Sequence, residues 1–180
     1  MVRPARQEIT LEEAHRRALR IALVLADVDG VLTDNGVYYS ERGELLKRFS
    51  VRDGMGVERL RAAGVETGLA TGESSPAVLR RAEKLGLKRV FTGARDKLAL
   101  LPELTGRAGL ALEQIAYIGD DVNDLKLIEA VGERGLTAAP SDAMAVVAES
   151  VHYRSRCPGG HGAFRDFAEW LLRLRERGDR

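Results

Sequence analysis

Ile21-Ala-Leu-Val-Leu-Ala-Asp27-Val-Asp29-Gly-Val-Leu-Thr-Asp34 decides the reading of this chain. An apolar run of strand length ends in two carboxylates one residue apart, then a glycine, an apolar pair and a turn-like Thr-Asp-Asn-Gly. Such a run suits a central strand of a parallel sheet, buried on both faces. In these sheets the reactive groups sit just beyond the carboxyl ends of the strands. Side chains alternate along a strand, so Asp27 and Asp29 are expected on the same side. Two neighbouring carboxylates repel each other unless a cation or a raised pKa compensates. The pair is therefore a candidate metal and catalytic site.

The remainder of the chain limits what that site can be. With 180 residues, 44% of them hydrophobic and 31% charged, the sequence has the makings of one globular domain with a sizeable core, 1–180. A formal net charge of +1 gives no electrostatic reason to expect a nucleic-acid or membrane-surface partner. Cys157 is the single cysteine, which excludes an internal disulfide and a Cys-rich zinc motif. The longest apolar run is strand-sized and the N-terminus is charged, so a cytoplasmic enzyme is expected.

Outward from the first strand, Met1–Ile9 is polar and basic and expected to be loosely held. Thr10-Leu-Glu-Glu13 matches a capping box, predicting a helix over about 10–20. Val37–Tyr39 and Leu45–Phe49 flank a turn-rich spacer and predict a β-hairpin within 36–49, too small to have its own core. Helical spacing covers Asp53–Ala63. Val65–Ala70 reads as a strand, and Ser75-Pro76 as the cap and first turn of a helix ending near Gly86. A short strand Arg89–Phe91, a helix Asp96–Ala108, a strand Ile115–Ile118 and a helix Asp124–Val131 follow. Then come a strand Leu136–Ala139, a short helix capped by Ser141-Asp142 and a short strand Val151–Tyr153. The tail, 157–180, holds a glycine-rich loop and a helix Ala163–Arg177. Alternating strands and helices imply an α/β fold: a parallel sheet with helices on both faces and a hairpin excursion.

Four strand ends or following loops carry polar groups: Asp27 and Asp29, Thr71, Lys97, and Asp120, Asp121 and Asp124. A parallel sheet brings such ends to one rim. The chemistry needing this set is phosphoryl transfer through an aspartyl phosphate. One carboxylate attacks phosphorus, and a second protonates the leaving oxygen and then activates water. A magnesium ion separates carboxylate from phosphate, and a hydroxyl and a lysine hold the phosphoryl oxygens.

Asp27-Val-Asp-Gly-Val-Leu-Thr-Asp34, Thr71-Gly72, Lys97 and Gly119-Asp-Asp-Val-Asn-Asp124 resemble the four motifs of haloacid-dehalogenase-superfamily phosphatases. The resemblance runs from about Leu11 to Leu172. It implies a Rossmann-like fold, with Asp27 as nucleophile and Asp29 as general acid/base. Mg2+ would be held by the Asp27 carboxylate, the Asp29 carbonyl and Asp120. Thr71 and Lys97 would bind the phosphoryl group, and Asp121 and Asp124 would lie near the metal or just behind its ligands. The intervals Asp34–Thr71 and Thr71–Lys97 leave no room for a cap domain. Phe49-Ser-Val-Arg-Asp-Gly-Met-Gly56 and Gly159-Gly-His-Gly-Ala-Phe-Arg165 are similar to segments of 3-deoxy-D-manno-octulosonate 8-phosphate (KDO 8-phosphate) phosphatases and of relatives acting on nine-carbon sialic-acid-type phosphates. That resemblance implies a homotetramer in which the hairpin and tail of one subunit cover a neighbour's site. It also implies a sugar-acid phosphate substrate contacted by Gly72, Glu73, Arg52, Lys84 and His161, with Asp53 near the substrate.

Two positions depart from the eight-carbon pattern. Those enzymes usually carry arginine where Glu73 stands, whereas Glu73 with Lys84 resembles the nine-carbon phosphatases. His161 stands where arginine is frequent. Two readings of other classes compete: a receiver-like phosphoaspartate switch and a non-catalytic oligomerisation domain. Asp29 discriminates against the switch, since turnover needs a second carboxylate and a switch does not. The intact acidic and lysine set argues against the scaffold.

Overall fold

The computed structural model describes residues 8–107 and 109–176. The first seven residues, Ala108 and the last four residues therefore lie outside it, together with parts of the expected N-terminal arm, the Asp96–Ala108 helix and the tail. Helix α1 (Leu11–Arg20) starts at Thr10, whose hydroxyl accepts from the Glu13 amide at 3.1 Å. Only half the capping box forms, because the Glu13 carboxylate turns to Arg16 and Arg17. At the other end, Arg175 donates to the Ala18 and Ile21 carbonyls at 2.9 Å each; the Ala18 carbonyl also accepts from the Ile21 amide at 3.3 Å. Ile21 is the cap of that helix, so strand β1 spans Leu23–Ala26 and not the whole apolar run.

Strands β2 (Val37–Ser40) and β3 (Gly43–Lys47) form the hairpin, antiparallel, with a register shift between Tyr38 and Tyr39. Helix α2 (Val51–Ala62) follows from the Ser50 cap, then β4 (Glu66–Ala70), α3 (Pro76–Lys84) and β5 (Arg89–Phe91). After a less regular stretch come β6 (Ile115–Ile118), α4 (Leu125–Gly132), β7 (Leu136–Ala139), α5 (Ala145–Ala148), β8 (Tyr153–Arg154) and α6 (Ala163–Glu176).

The main sheet has the order β5-β4-β1-β6-β7-β8, and every pairing in it is parallel. Strand β1 sits between β4 and β6, where the chain reverses its direction of travel across the sheet, and that is where such sheets bind ligands. Alternate residues of β1 feed two cores. Val24 and Ala26 pack with α1, α2, α3 and α6 through Ala18, Leu60, Val78 and Phe167. Leu23 and Leu25 pack on the other face with Leu104, Leu127, Ile128 and Val147. Burial on both faces explains why β1 has no polar residue before Asp27. Between β1 and β4 the chain inserts only the hairpin and α2, so no cap domain covers the rim.

Several expected elements differ. The helix expected over Asp96–Ala108 forms as one irregular helical run, 3-10 at Lys97–Leu100, α-helical at 101–102 and π-type at Glu103–Arg107. Pro102 lies within this run; it has no amide hydrogen and its ring crowds the carbonyl four residues back, which works against regular α geometry there. Ser141-Asp142 does not cap α5, which begins after Met144. The Asp142 carboxylate instead accepts from the Gly159 amide at 2.9 Å, tying the tail loop to the carboxyl end of β7. Ser75 precedes α3 without capping it, because its hydroxyl donates to the Glu44 carboxylate on the hairpin. The final strand is displaced to Tyr153–Arg154, set by pairing of Ala138 with Tyr153. No helix among the described residues is long and apolar enough to cross a membrane.

Candidate active site

The loop after β1 continues the sheet by one bond, Asp27 N–H to the Ile118 carbonyl at 2.9 Å, which fixes Asp27 at the switch point. The next residues turn tightly. Gly30 has φ +80°, and any Cβ there would overlap the Asp120 carboxylate, so glycine is required for β6 to bring Asp120 beside this loop. Asn35, also left-handed at φ 60°, donates from Nδ2 to Asp120 Oδ2 at 3.1 Å. From the opposite side the tail presses in: Gly160 N–H donates to the Val31 carbonyl at 2.9 Å, and a side chain at Gly159 would overlap the Gly30 carbonyl.

A cleft of about 290 Å³ opens on this rim. Asp27, Asp29, Thr71, Gly72, Glu73, Asp120 and Asp121 line it with Asn35, Val122 and Asn123. Lys97 stands behind Asp27 with its side chain wholly buried. Its Nζ lies 2.8 Å from Asp27 Oδ1 and 2.6 Å from Asp124 Oδ1. Asp124 is equally buried and fully engaged. Oδ1 accepts from Lys97 and from the Tyr117 hydroxyl at 2.6 Å, and Oδ2 from the amides of Asp120 at 2.9 Å and Asp121 at 3.3 Å.

The electrostatics follow from this crowding. Burial raises the Asp27 carboxyl well above the usual carboxylate range, the Asp124 charge adds to this, and Lys97 opposes it. Burial likewise raises Asp120 to about 6, against the pull of its Asn35 hydrogen bond. Burial works to lower the Lys97 ammonium, but Asp27 and Asp124 outweigh it and hold it above its ordinary value. Oxygens of Asp27, Asp120 and Asp124 lie within 4.8 Å of one another, faced by one lysine. An excess of hard oxygen donors over positive charge fits a divalent cation such as magnesium. Asp27 and Asp120 face the cleft, whereas both oxygens of Asp124 are already taken by four donors.

Other expected contact residues lie elsewhere. Lys84 is exposed in the last turn of α3, about 12 Å along the axis from Pro76 at 1.5 Å per residue, and does not line the cleft. Arg52 is exposed at the start of α2 beside Gly162. Asp53 faces away from the cleft: it is buried and accepts from the Gly162 amide at 3.1 Å and the Arg165 amide at 3.0 Å, anchoring the start of α6. His161 is exposed, with Nε2 2.8 Å from Arg48, which also pairs with Asp34 at 2.8 Å.

Three contributors escaped the sequence reading. Asn35 reads as an ordinary Asn-Gly turn. Tyr117 reads as strand filling, although a tyrosine in a fully apolar strand needs a partner for its hydroxyl. Lys47 ends β3 with its side chain only 1% exposed, and its Nζ lies 2.6 Å from Asp29 Oδ1. A lysine beside Leu45-Leu46 was the available signal, since a lysine is rarely buried without a charged partner.

A doubly wound sheet presenting paired aspartates, a buried lysine and a third carboxylate at one rim defines an aspartate-based phosphotransferase or phosphatase. No family model matches the sequence. Individual relatives do. The chain is 35% identical over 166 residues to the KDO 8-phosphate phosphatase KdsC of Yersinia pestis, covering 92% of this chain and 87% of that protein. It is 40% identical over 152 residues to KdsC of Haemophilus influenzae, covering 84% and 83%. Among solved structures, KDO 8-phosphate phosphatase from Moraxella catarrhalis, in complex with a magnesium ion, a phosphate ion and KDO, superposes with a TM-score of 0.86 at 34% identity, covering 94% of this chain and 96% of that one. The chain belongs to the KDO 8-phosphate phosphatase family of the haloacid dehalogenase superfamily.

Proposed function

We propose that this chain is a magnesium-dependent phosphomonoesterase that hydrolyses KDO 8-phosphate to KDO and inorganic phosphate. The observation that carries the reading is the Asp27 carboxylate, exposed to the cleft on one side and held by Lys97 at 2.8 Å on the other. Asp27 attacks phosphorus, forming an oxygen–phosphorus bond as the bond to the sugar oxygen breaks. Asp29 gives its proton to that leaving oxygen and then takes one from the water that hydrolyses the aspartyl phosphate. Thr71, on the cleft wall after β4, offers its hydroxyl to a phosphoryl oxygen, and Lys97 balances the charge gained at Asp27. The Asp27 and Asp120 carboxylates and the Asp29 carbonyl would hold the magnesium ion, which supplies the positive charge that lets a carboxylate meet a phosphate dianion. Asp124 would orient Lys97 and Asp120 from behind, and Asp121 lines the cleft beside them.

The hairpin supports a homotetramer. Tyr38, Tyr39, Leu45 and Leu46 are each more than half exposed, an apolar surface suited to burial against another subunit. Covering of a neighbour's cleft by the hairpin and the Pro158–Gly162 loop would bring His161 or Arg52 to a cleft that they do not line in their own chain.

Glu73 on the cleft wall favours a second substrate, a nine-carbon sugar-acid 9-phosphate. The test is phosphate release from the eight- and nine-carbon phosphates side by side, with and without magnesium, for the parent, Asp27→Asn and Glu73→Arg. The expected result is faster release from the eight-carbon compound, none in excess chelator and none from Asp27→Asn. Turnover by Asp27→Asn would overturn the mechanism. An unchanged rate ratio in Glu73→Arg would remove Glu73 from the choice of substrate.

A further inference from the structure

The hairpin does more than present an apolar surface, because it sends one side chain into its own catalytic rim. Lys47 at the end of β3 places Nζ 2.6 Å from Asp29 Oδ1 and 3.8 Å from Glu44 Oε2. Glu44 in turn accepts from the Ser75 hydroxyl at the start of α3. A continuous polar chain thus runs from the loop after β4, across β3, to the aspartate after β1. The Thr33 hydroxyl also approaches Asp29 Oδ1, at 3.5 Å. Both contacts fall on Oδ1, and Oδ2 makes none among the described residues.

We infer that Lys47 is a positioning residue for Asp29, fixing the carboxyl through Oδ1 so that Oδ2 faces the leaving oxygen. The inference rests on the reading of Asp29 as the proton donor. A carboxyl group on a loop has two side-chain torsions, and a donor held at hydrogen-bond distance from one oxygen restricts both. Lys47 suits this task because its side chain is only 1% exposed and its ammonium pairs with the Asp29 and Glu44 carboxylates. In the step itself Asp27 forms its bond to phosphorus, the phosphorus–oxygen bond to the sugar breaks, and the departing electron pair takes the proton from Asp29 Oδ2. Lys47 neither gives nor takes a proton. Within the steps that kcat/KM reports, up to release of the leaving group, its effect is confined to the one in which leaving-group protonation matters.

That confinement supplies the test. Loss of a well-placed general acid slows expulsion of an alkoxide by about 100-fold or more, but matters little for a phenolate that leaves unaided. kcat/KM, which reports steps up to formation of the phosphoenzyme, is measured with KDO 8-phosphate and with p-nitrophenyl phosphate. Lys47→Met is expected to lose about 30-fold or more on the sugar phosphate and less than about fivefold on the aryl phosphate, with Lys47→Arg recovering most of the difference. Glu44→Gln, which loosens the hairpin without touching Asp29, is expected to keep the parental ratio of the two substrates. If Lys47→Met does not give the parental circular dichroism spectrum, Lys47→Gln is read in its place. Equal losses on both substrates would reduce Lys47 to a structural ion pair and overturn the inference. Asp29→Asn separates the two ideas: equal losses in that variant would refute Asp29 as the proton donor, whereas a selective loss there with none in Lys47→Met refutes only the positioning role.

Discussion

Asp124→Asn tests whether the buried carboxylate behind the cleft is an organiser of the site. The side chain is the same size, but an amide has one accepting oxygen and a donating NH2 group where Asp124 has two acceptors. Asp124 faces donors on both sides, Lys97 and Tyr117 at Oδ1 and the amides of Asp120 and Asp121 at Oδ2. Whichever way the asparagine turns, two donors meet an NH2 group. One lost bond to a charged group costs about 1.5–3 kcal/mol and a second, neutral one about 1 kcal/mol, giving about 3 kcal/mol in all. An opposing contribution comes from relief of repulsion, because the Asp124 charge helps raise both Asp27 and Asp120. Its sign with pH is definite. Asp120 takes up a proton at about 6, so below that value there is less repulsion to relieve and the destabilisation is largest. In chelator at pH 5, thermal unfolding is expected about 6–12 °C lower than in the parent, at 2–4 °C per kcal/mol for a chain of this size, with a smaller gap at pH 8. Phosphatase activity with magnesium should fall by about 100-fold, since either Lys97 or the backbone that carries Asp120 loses its anchor at residue 124. A melting point within about 2 °C of the parent at pH 5, with activity retained, would refute the organising role.

Two further outcomes follow from the same geometry. Asp120 sits at about 6 rather than 3.8 because burial disfavours its charge, so its stabilising contribution in metal-free protein is full below pH 4 and lost as pH rises through 6. That gap amounts to at most about 3 kcal/mol, so urea unfolding in chelator should show a fall in stability between pH 4 and 7 that is smaller in Asp120→Asn, where only raised Asp27 remains to contribute, and that is offset by magnesium. Gly159→Ala places a methyl group against the Gly30 backbone carbonyl, which cannot swing aside as a side chain could. It should lower stability by about 2 kcal/mol or more and depress kcat by displacing the loop that carries Asp29, as measured by melting and steady-state assay.

The residues that sequence alone made legible are those whose local context is sufficient. The β1 run, with both faces buried, announces a central parallel strand, and Asp27 and Asp29 follow from where that strand must end. Asp120 follows in the same way from β6. What escaped depends on contacts between distant segments. Lys47 reaches Asp29 only because the hairpin folds back over the rim, and Asn35 reaches Asp120 across 85 residues. The Glu73–Lys84 pairing was a comparison of positions, and a helix separates what the sequence places close together: α3 carries Lys84 away from the cleft wall on which Glu73 lies. The expected helix at Asp96–Ala108 overlooked Pro102 and the irregular geometry around it, although the helical run that forms still delivers Lys97 to Asp27.

The contact between the Gly159-Gly160 loop and the turn after β1 bears on the order in which the protein is made. Asp27, Asp29, Thr71, Lys97 and Asp120 are all synthesised before Pro158. The segment that packs beneath Gly30, bonds to Val31 and continues into α6 leaves the ribosome afterwards. A nascent or truncated chain ending short of this segment holds every acidic group of the site but lacks the Gly160–Val31 bond and the Gly159 contact that press on the turn carrying Asp29. Competence for the reaction is thereby tied to completion of the chain through α6.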